Sequence, residues 1–148
     1  VDRGPDAAMN FFTKVTLATV VVLIAAAAVV LLFRSREPAR VEALIREAVV
    51  WAQQGESEKI ANLVDDRFEG GAEAARSEVR RRIFPGAFEA IEIARIVVAV
   101  EGDEARVDLR LKVRPKDAPM AWPESFLLTF RRTGDAWKLT AAERPNLR

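Results

Sequence analysis

The first long feature of the chain is an unbroken apolar stretch at residues 15–33, without charged residues, glycine or proline. At 1.5 Å per residue this stretch would form a helix of about 28 Å, close to the roughly 30 Å hydrocarbon core of a bilayer. Aromatic and basic residues flank it as membrane-interface anchors do, namely Phe11, Phe12, Lys14, Arg34 and Arg36. We therefore expect an N-terminal tail at residues 1–14, a single transmembrane helix at 15–33, and a linker at 34–39 in which Pro38 interrupts the helix.

A cleaved signal peptide is the alternative for this stretch, because Lys14 precedes it and the four alanines at 25–28 would suit a peptidase. The apolar run continues beyond the alanines, past the usual length of a signal-peptide core, which favours an uncleaved anchor. The alanines would also let another transmembrane helix approach closely. The side of the membrane stays open: Arg34, Arg36 and Arg40 favour a cytoplasmic C-terminal domain, whereas a short leader ending in Lys14 is typical of exported anchors.

From residue 40 onward the apolar positions recur with helical spacing. One face of the first helix of this region carries Val41, Leu44, Ile45, Ala48, Val49 and Ala52. Gly55 is expected to end this helix, and Ser57 to cap a shorter one that runs to Val64. A third helix is predicted from residue 72 to about 84, where Pro85 and Gly86 stop it.

After the third helix the period of the pattern changes from 3.6 to 2. Residues 104–114 alternate strictly between apolar and charged, which predicts a half-buried antiparallel strand. A hairpin turn at 101–103 joins it to a strand at 88–100, whose apolar phase changes near Ala94 and Arg95 and so predicts a β-bulge. Strands at 124–133 and 136–142 complete the pattern, and the residues expected to face inward on them are Phe126, Leu128, Phe130, Trp137, Leu139 and Ala141.

Three helices followed by four antiparallel strands predict an α+β domain at residues 40–148. Three stretches resemble the nuclear transport factor 2-like superfamily, also called SnoaL-like: QQGESEKI at 53–60, LVDDRF at 63–68, and FRRTGDAWKL at 130–139. The resemblance covers residues 40–143. It implies a cone-shaped domain in which three helices pack on a curved four-stranded antiparallel sheet.

Composition removes several function classes. The mean hydropathy of 0.00 and net charge of +1 average an uncharged segment with a domain that carries as many acidic as basic residues. Such a neutral domain lacks the basic surplus that phosphate binding needs, so we expect no nucleic-acid partner. The chain has no Cys, His or Tyr, which removes disulfides, the commonest metal ligands and the commonest general base. We expect neither a metal nor a cofactor.

Enzymes of the superfamily that the chain resembles use an Asp or His base and Tyr donors in a conical pocket. This chain has neither Tyr nor His, so a carboxylate mechanism would need Asp65, Asp66 or Asp108. The first two follow a helix, where a solvated turn is the simpler interpretation. Asp108 lies between Arg106 and Arg110 and is interpreted as a member of a cross-strand ion pair. We therefore expect no catalytic residues and no enzymatic activity.

Basic residues are concentrated on the third helix and on one sheet face with its following loop. They are Arg76, Arg80, Arg81 and Arg82 on the helix, and Arg106, Arg110, Lys112, Arg114 and Lys116 on the sheet and loop. The simplest interpretation is a solvated face balanced by Glu73, Glu78, Glu89 and Glu92; the other is contact with anionic lipid or an acidic partner. Trp122, in the proline-rich loop 115–123, is a candidate contact residue or a lid on the cone, and Trp51 is expected in the core.

The favoured hypothesis is a bacterial single-pass protein of the cell (inner) membrane, a non-catalytic accessory subunit of a larger membrane complex. Its partners would be the bilayer, other subunits or its own copy, bound through the sheet face. A small-molecule-binding or residual enzyme domain is the alternative. It predicts a pocket lined by Phe, Leu and Val that holds at least one buried carboxylate or Arg. A third hypothesis is an electrostatic module that binds a membrane surface.

Overall fold

The structure is a computed structural model that describes residues 6–145, with side chains described at 17–29 and 36–145. The chain divides into two compact units, Val1–Glu37 and Pro38–Arg148.

The long helix α1 (Asp6–Gln54) begins in the first unit. It includes all of residues 34–39, so the expected interruption at Pro38 is absent. A proline removes one backbone hydrogen bond and crowds the carbonyl four residues earlier, but the helical bonds on either side can persist. A proline alone was therefore insufficient to predict the end of the helix.

Among the described residues, no helix combines the length and apolar character needed to cross a membrane. The apolar side chains described in the first unit are exposed: Leu17, Val20, Val21, Val22, Leu23, Ile24 and Val29. Of the five expected interface anchors, Arg36 is exposed, and the side chains of Phe11, Phe12, Lys14 and Arg34 lie outside those described.

The second unit contains the rest of α1 and two short helices, α2 (Ser57–Ala61) and α3 (Ala72–Arg82). As expected, Gly55 follows the last residue of α1, with φ of 77° and its amide bonded to the carbonyl of Ala52. Ser57 does not cap α2. It is the first helical residue, while Glu56 occupies the N-cap position without a side-chain cap bond.

Four strands follow and form one antiparallel sheet in the order β1 (Phe88–Glu101), β2 (Glu104–Pro115), β3 (Trp122–Thr133), β4 (Ala136–Glu143). The expected bulge is confirmed by a register shift between Ile93 and Arg95. The loop expected at 115–123 is shorter, because Trp122 already pairs with Val113 in the sheet. Pro123 is tolerated there since β4 pairs with β3 only from Leu127 onward, leaving no neighbour on that side that needs its missing N–H.

The core lies between α1 and the inner face of the sheet. Its buried side chains are Val41, Ile45, Ala105, Val107, Leu109, Phe130 and Trp137. Burying a large apolar side chain contributes about 1.5–3 kcal/mol, so the burial of Val41 and Ile45 stabilises the packing of α1 on the sheet. Trp51 is only half-buried, with the Lys59 ammonium 5.9 Å from its ring centre, and the expectation that it belongs to the core is wrong.

Candidate interaction surfaces

The arginines of α3 are engaged with neighbouring acids. Arg80 Nε lies 2.7 Å from Glu58 Oε1 on α2, and Arg81 Nη2 lies 2.7 Å from Glu78 Oε1. Arg82 bonds the same Glu78 carboxylate. The α3 surface is thus a set of local ion pairs, which leaves it weakly suited to attract anionic lipid.

Arg76 has the most enclosed side chain of this group, 20% exposed. It donates to the backbone carbonyl of Val64 at 2.9 Å and to Asp66 Oδ1 at 2.7 Å, and it also pairs with Glu73. These bonds fasten the segment between α2 and α3 to the face of α3. Arg76 therefore holds this segment in place, and the Asp66 carboxylate is its ion-pair partner.

Carboxylate pKa values on this surface follow the same contacts. Hydrogen bonds from Arg81 and Arg82 lower the pKa of Glu78 to about 2. The hydrogen bond from Arg76 lowers the pKa of Asp66, and that from Arg80 lowers the pKa of Glu58. Each of these groups is held ionised, which suits an ion pair and does not suit a general acid.

Asp65 and Asp66 are adjacent in the chain but have different hydrogen-bond partners. Asp65 Oδ1 accepts the backbone N–H of Arg67 at 2.8 Å, as in a local turn, while Asp66 bonds Arg76. Both line an open groove of about 1000 Å³ that all four strands border and that contains both acidic and basic side chains. In the described part of the chain, no group of three or more His, Cys, Asp or Glu residues could hold a metal.

The outer face of the sheet, opposite α1, carries the charged residues of β2. Arg110 Nε lies 4.0 Å from Asp108 Oδ1, and Arg106 Nε lies 3.6 Å from Glu104 Oε1. These pairs run along one strand, so the cross-strand pair expected for Asp108 is wrong. A strand alternates its side chains, which places residues i and i+2 of β2 on the same face within reach of each other.

The remaining charged candidates lie toward the end of the sheet where β2 finishes. Arg114 Nε lies 3.5 Å from Glu89 Oε2 on β1, the cross-strand balance expected for Glu89. Lys112 lies opposite Glu92 in the register. Trp122, at the start of β3, is 55% exposed. The structure thus leaves Trp122 on the surface, in a strand rather than a flexible loop.

The outer face also presents two exposed apolar residues that sequence reasoning missed. Val97 on β1 and Leu127 on β3 are 46% and 43% exposed and lie on either side of Asp108 in the same row. They border a shallow depression of about 460 Å³. In the sequence, these residues could have been recognised as apolar residues at positions of a strand whose other side chains are polar. At Val97 the nearby bulge changes which positions face outward, so the alternation there was hard to follow.

The interior of the cone contains a cavity of about 210 Å³ between the helices and the sheet. Every residue lining it is apolar, among them Leu44, Ala48, Val79, Leu111 and Phe130. A lining of this kind favours apolar molecules over polar ones. No acidic, basic or nucleophilic side chain is among the residues that line it.

Comparison with solved structures shows that the second unit has a nuclear transport factor 2-like fold. A protein of that fold from Pseudomonas putida superimposes with a TM-score of 0.64 at 16% identity, over 73% of this chain and 84% of its own. A protein from Novosphingobium aromaticivorans superimposes with a TM-score of 0.60 at 23% identity, over 82% of this chain and 89% of its own. A protein from Cytophaga hutchinsonii superimposes with a TM-score of 0.59 at 12% identity, over 72% of this chain and 94% of its own.

These identities show a shared fold and nothing about function. No family model matches the sequence, and no curated protein matches it. The resemblance noted from the three sequence stretches is therefore confirmed for the fold.

Proposed function

We propose that the protein is a non-catalytic accessory subunit, anchored by residues 15–33 in the cell (inner) membrane of a bacterium. Its second unit binds another membrane-complex subunit or a second copy through the outer face of the sheet. The observation that carries the proposal is the apolar surface of α1: all seven residues from Leu17 to Leu23 are Leu, Val, Ala or Thr, and all seven side chains are exposed. In water such a surface is unfavourable, and a bilayer or a neighbouring helix would cover it.

Membrane extraction tests the anchor. Val22→Arg combined with Ile24→Arg places two charges in the apolar stretch, each costing about 2.5–3.5 kcal/mol at the centre of a spanning helix. We expect the wild type to stay in the membrane pellet at alkaline pH and the doubly charged variant to be released. Val22→Leu with Ile24→Leu is the matched control and should remain in the pellet. A wild-type chain found wholly outside the membrane fraction would contradict the anchor.

Support for the interaction surface comes from Val97 and Leu127, since exposed apolar residues within a charged face are typical of contact sites. We expect the tagged full chain, extracted in mild detergent, to retain a companion subunit or a second copy. Leu127→Arg should release it, whereas Ala43→Arg, on an exposed position of α1, should not. A wild-type chain that always purifies as a lone monomer would refute binding through this face.

The alternative of small-molecule binding keeps support from the cavity, which has the Phe, Leu and Val lining expected for it. The carboxylate or Arg that this alternative also required is missing from the lining. The alternative is therefore limited to the binding of a small hydrocarbon-like molecule in this cavity. Xenon or benzene binding, followed by the chemical shifts of the Leu and Val methyl groups, would detect this, and unchanged shifts would remove it.

A further inference from the structure

The open groove of about 1000 Å³ contains charges that the chain does not neutralise by itself. Its floor crosses one row of the sheet, in which Glu101, Glu104, Arg131 and Lys138 lie side by side, one from each strand. Ala105, the chain neighbour of Glu104, is buried in the core, so the row points outward. Read from β1 to β4, the row is acid, acid, base, base.

Two of these four side chains have no ion pair within the described part of the chain, namely Glu101 on β1 and Arg131 on β3. The other two are engaged, since Glu104 pairs with Arg106 at 3.6 Å and Lys138 Nζ donates to a backbone carbonyl at 2.6 Å. Each unpaired side chain also has a like charge directly opposite it on the next strand, which repels it. A positive charge over the acidic half and a negative charge over the basic half would therefore stabilise the groove.

The rest of the lining does not disturb this division of charge. Asp66 pairs with Arg76 at 2.7 Å, and Asp103 pairs with Arg132 at 2.9 Å. The two charged lining residues that remain are of opposite sign: Asp65 and Arg67. The lining as a whole is thus neutral, and the unpaired acid and the unpaired base of its floor lie two strands apart.

We propose that this groove binds short peptides with free termini, holding the terminal ammonium at Glu101 and the terminal carboxylate at Arg131. Neighbouring strands lie about 4.8 Å apart, so these two residues are separated by about 10 Å along the row. An extended chain covers about 3.3–3.6 Å per residue, so roughly three residues span this distance. A guanidinium suits a carboxylate because it can donate two parallel hydrogen bonds to it.

Simpler ligands satisfy only half of the groove. An inorganic anion would neutralise Arg131 alone, and a diamine would neutralise Glu101 alone. A single amino acid carries both charges but is too short to reach both residues. The inference goes beyond the proposed accessory function and does not depend on it, because neither residues 15–33 nor Val97 and Leu127 line the groove.

Titration of the full chain with trialanine, in an uncharged detergent and followed by backbone amide chemical shifts, tests the site. We expect saturable shifts at residues 101–104 and 131–138. N-acetyl-trialanine lacks the ammonium and trialanine amide lacks the carboxylate, so each should bind about fivefold more weakly, the loss of one exposed ion pair. Free alanine should be weaker than trialanine by a similar factor. An absence of shifts at the lining residues would overturn the proposal.

Variants assign the two ends of the peptide. Glu101→Gln should weaken trialanine binding about fivefold and leave N-acetyl-trialanine unchanged, because that peptide has no ammonium to lose. Arg131→Gln should cause the same loss for trialanine and none for trialanine amide. Glu47→Gln, an exposed change on α1, is the control and should alter no affinity.

Two outcomes would contradict recognition of the termini: capped peptides that bind as tightly as trialanine, and variants that weaken all peptides equally. Acetate that shifts the same residues with the affinity of trialanine would show a simple anion site and would also overturn the proposal. None of these results bears on the accessory function, which membrane extraction and co-purification test separately.

Discussion

At the scale of single residues, a few side chains and one glycine fix the connections around the sheet. Gly55 shows this most directly, because a Cβ at this position would lie 2.2 Å from the backbone nitrogen of Pro85 and 2.3 Å from the carbonyl carbon of Phe84. The end of α1 thus rests against the backbone that leads from α3 into β1. The pattern of the sequence predicted Gly55 as a helix end. The close approach to Pro85 depends on residues 30 positions away, which no local pattern encodes.

We expect Gly55→Ala to lower the free energy of unfolding by about 3 kcal/mol, since it adds backbone strain at positive φ to a backbone clash. Gly102→Ala is the matched control, because Gly102 has φ of 60° with no atom within 4 Å of the added Cβ. Its cost should be about 1 kcal/mol. Urea unfolding of both variants measures the difference, and equal losses would show that the clash is relieved by movement.

The ion pairs of Glu78 predict how the free energy of unfolding depends on pH. Its pKa of about 2 lies below the ordinary value of 4.5, so its contribution to stability is complete above about 4.5 and is lost as pH falls towards 2. Glu78→Gln should therefore flatten the dependence of unfolding free energy on pH in that interval. Carboxyl NMR titration should give a pKa near 2 for Glu78 in the wild type. It should rise towards 4.5 when Arg81 and Arg82 are both replaced by Ala, and no rise would exclude these partners as the cause.

At the scale of elements, β3 has one end exposed to solvent and the other end buried in the core. Its start carries the exposed Trp122, and its later part carries the buried Phe130, packed with Trp137 of β4. Local composition, with prolines at 115, 119 and 123, favoured a loop. Pairing with β2 extended the strand, because backbone hydrogen bonds to an existing neighbour outweigh weak local preferences.

The two tryptophans should therefore respond differently to truncation. Trp137→Ala removes a side chain that is 6% exposed and should cost about 3–5 kcal/mol of unfolding free energy. Trp122→Ala should cost within about 1 kcal/mol. Iodide should quench the fluorescence of Trp122 more strongly than the fluorescence of Trp137. The contribution of each is obtained by comparing the wild type with Trp122→Ala and with Trp137→Phe. A large loss of stability on changing Trp122 would mean that it packs more closely than its exposure indicates.

At the scale of the whole molecule, the helices and the sheet of the second unit together line an apolar cavity of about 210 Å³. Helices and strands from the entire second unit contribute its lining. The absence of His and Tyr from the sequence already argued against acid-base chemistry. Asp66, Glu73 and Glu78 lie outside the lining of this cavity, where each pairs with an arginine of α3.

Filling the cavity should stabilise the second unit. Ala48→Ile extends a lining side chain into empty space and should raise the free energy of unfolding by about 1 kcal/mol. Ala43→Ile, on the exposed face of the same helix, carries the same loss of helix propensity without the gain. It should lower stability by a few tenths of a kcal/mol. If Ala48→Ile destabilised more than Ala43→Ile, the cavity would be too rigid or too narrow to accept the side chain.

The sequence by itself determined the α+β class of the second unit, the order of its helices and strands, the bulge in β1 and the end of α1. These features arise from periodicity and turn residues, which act over a few neighbouring positions. Only the tertiary structure decided that Arg76 bonds the Val64 carbonyl, that Trp122 joins a strand, and that the cavity lining is wholly apolar. Such contacts depend on strand register and helix packing between distant segments, which are set by the burial of the whole core rather than by any local stretch.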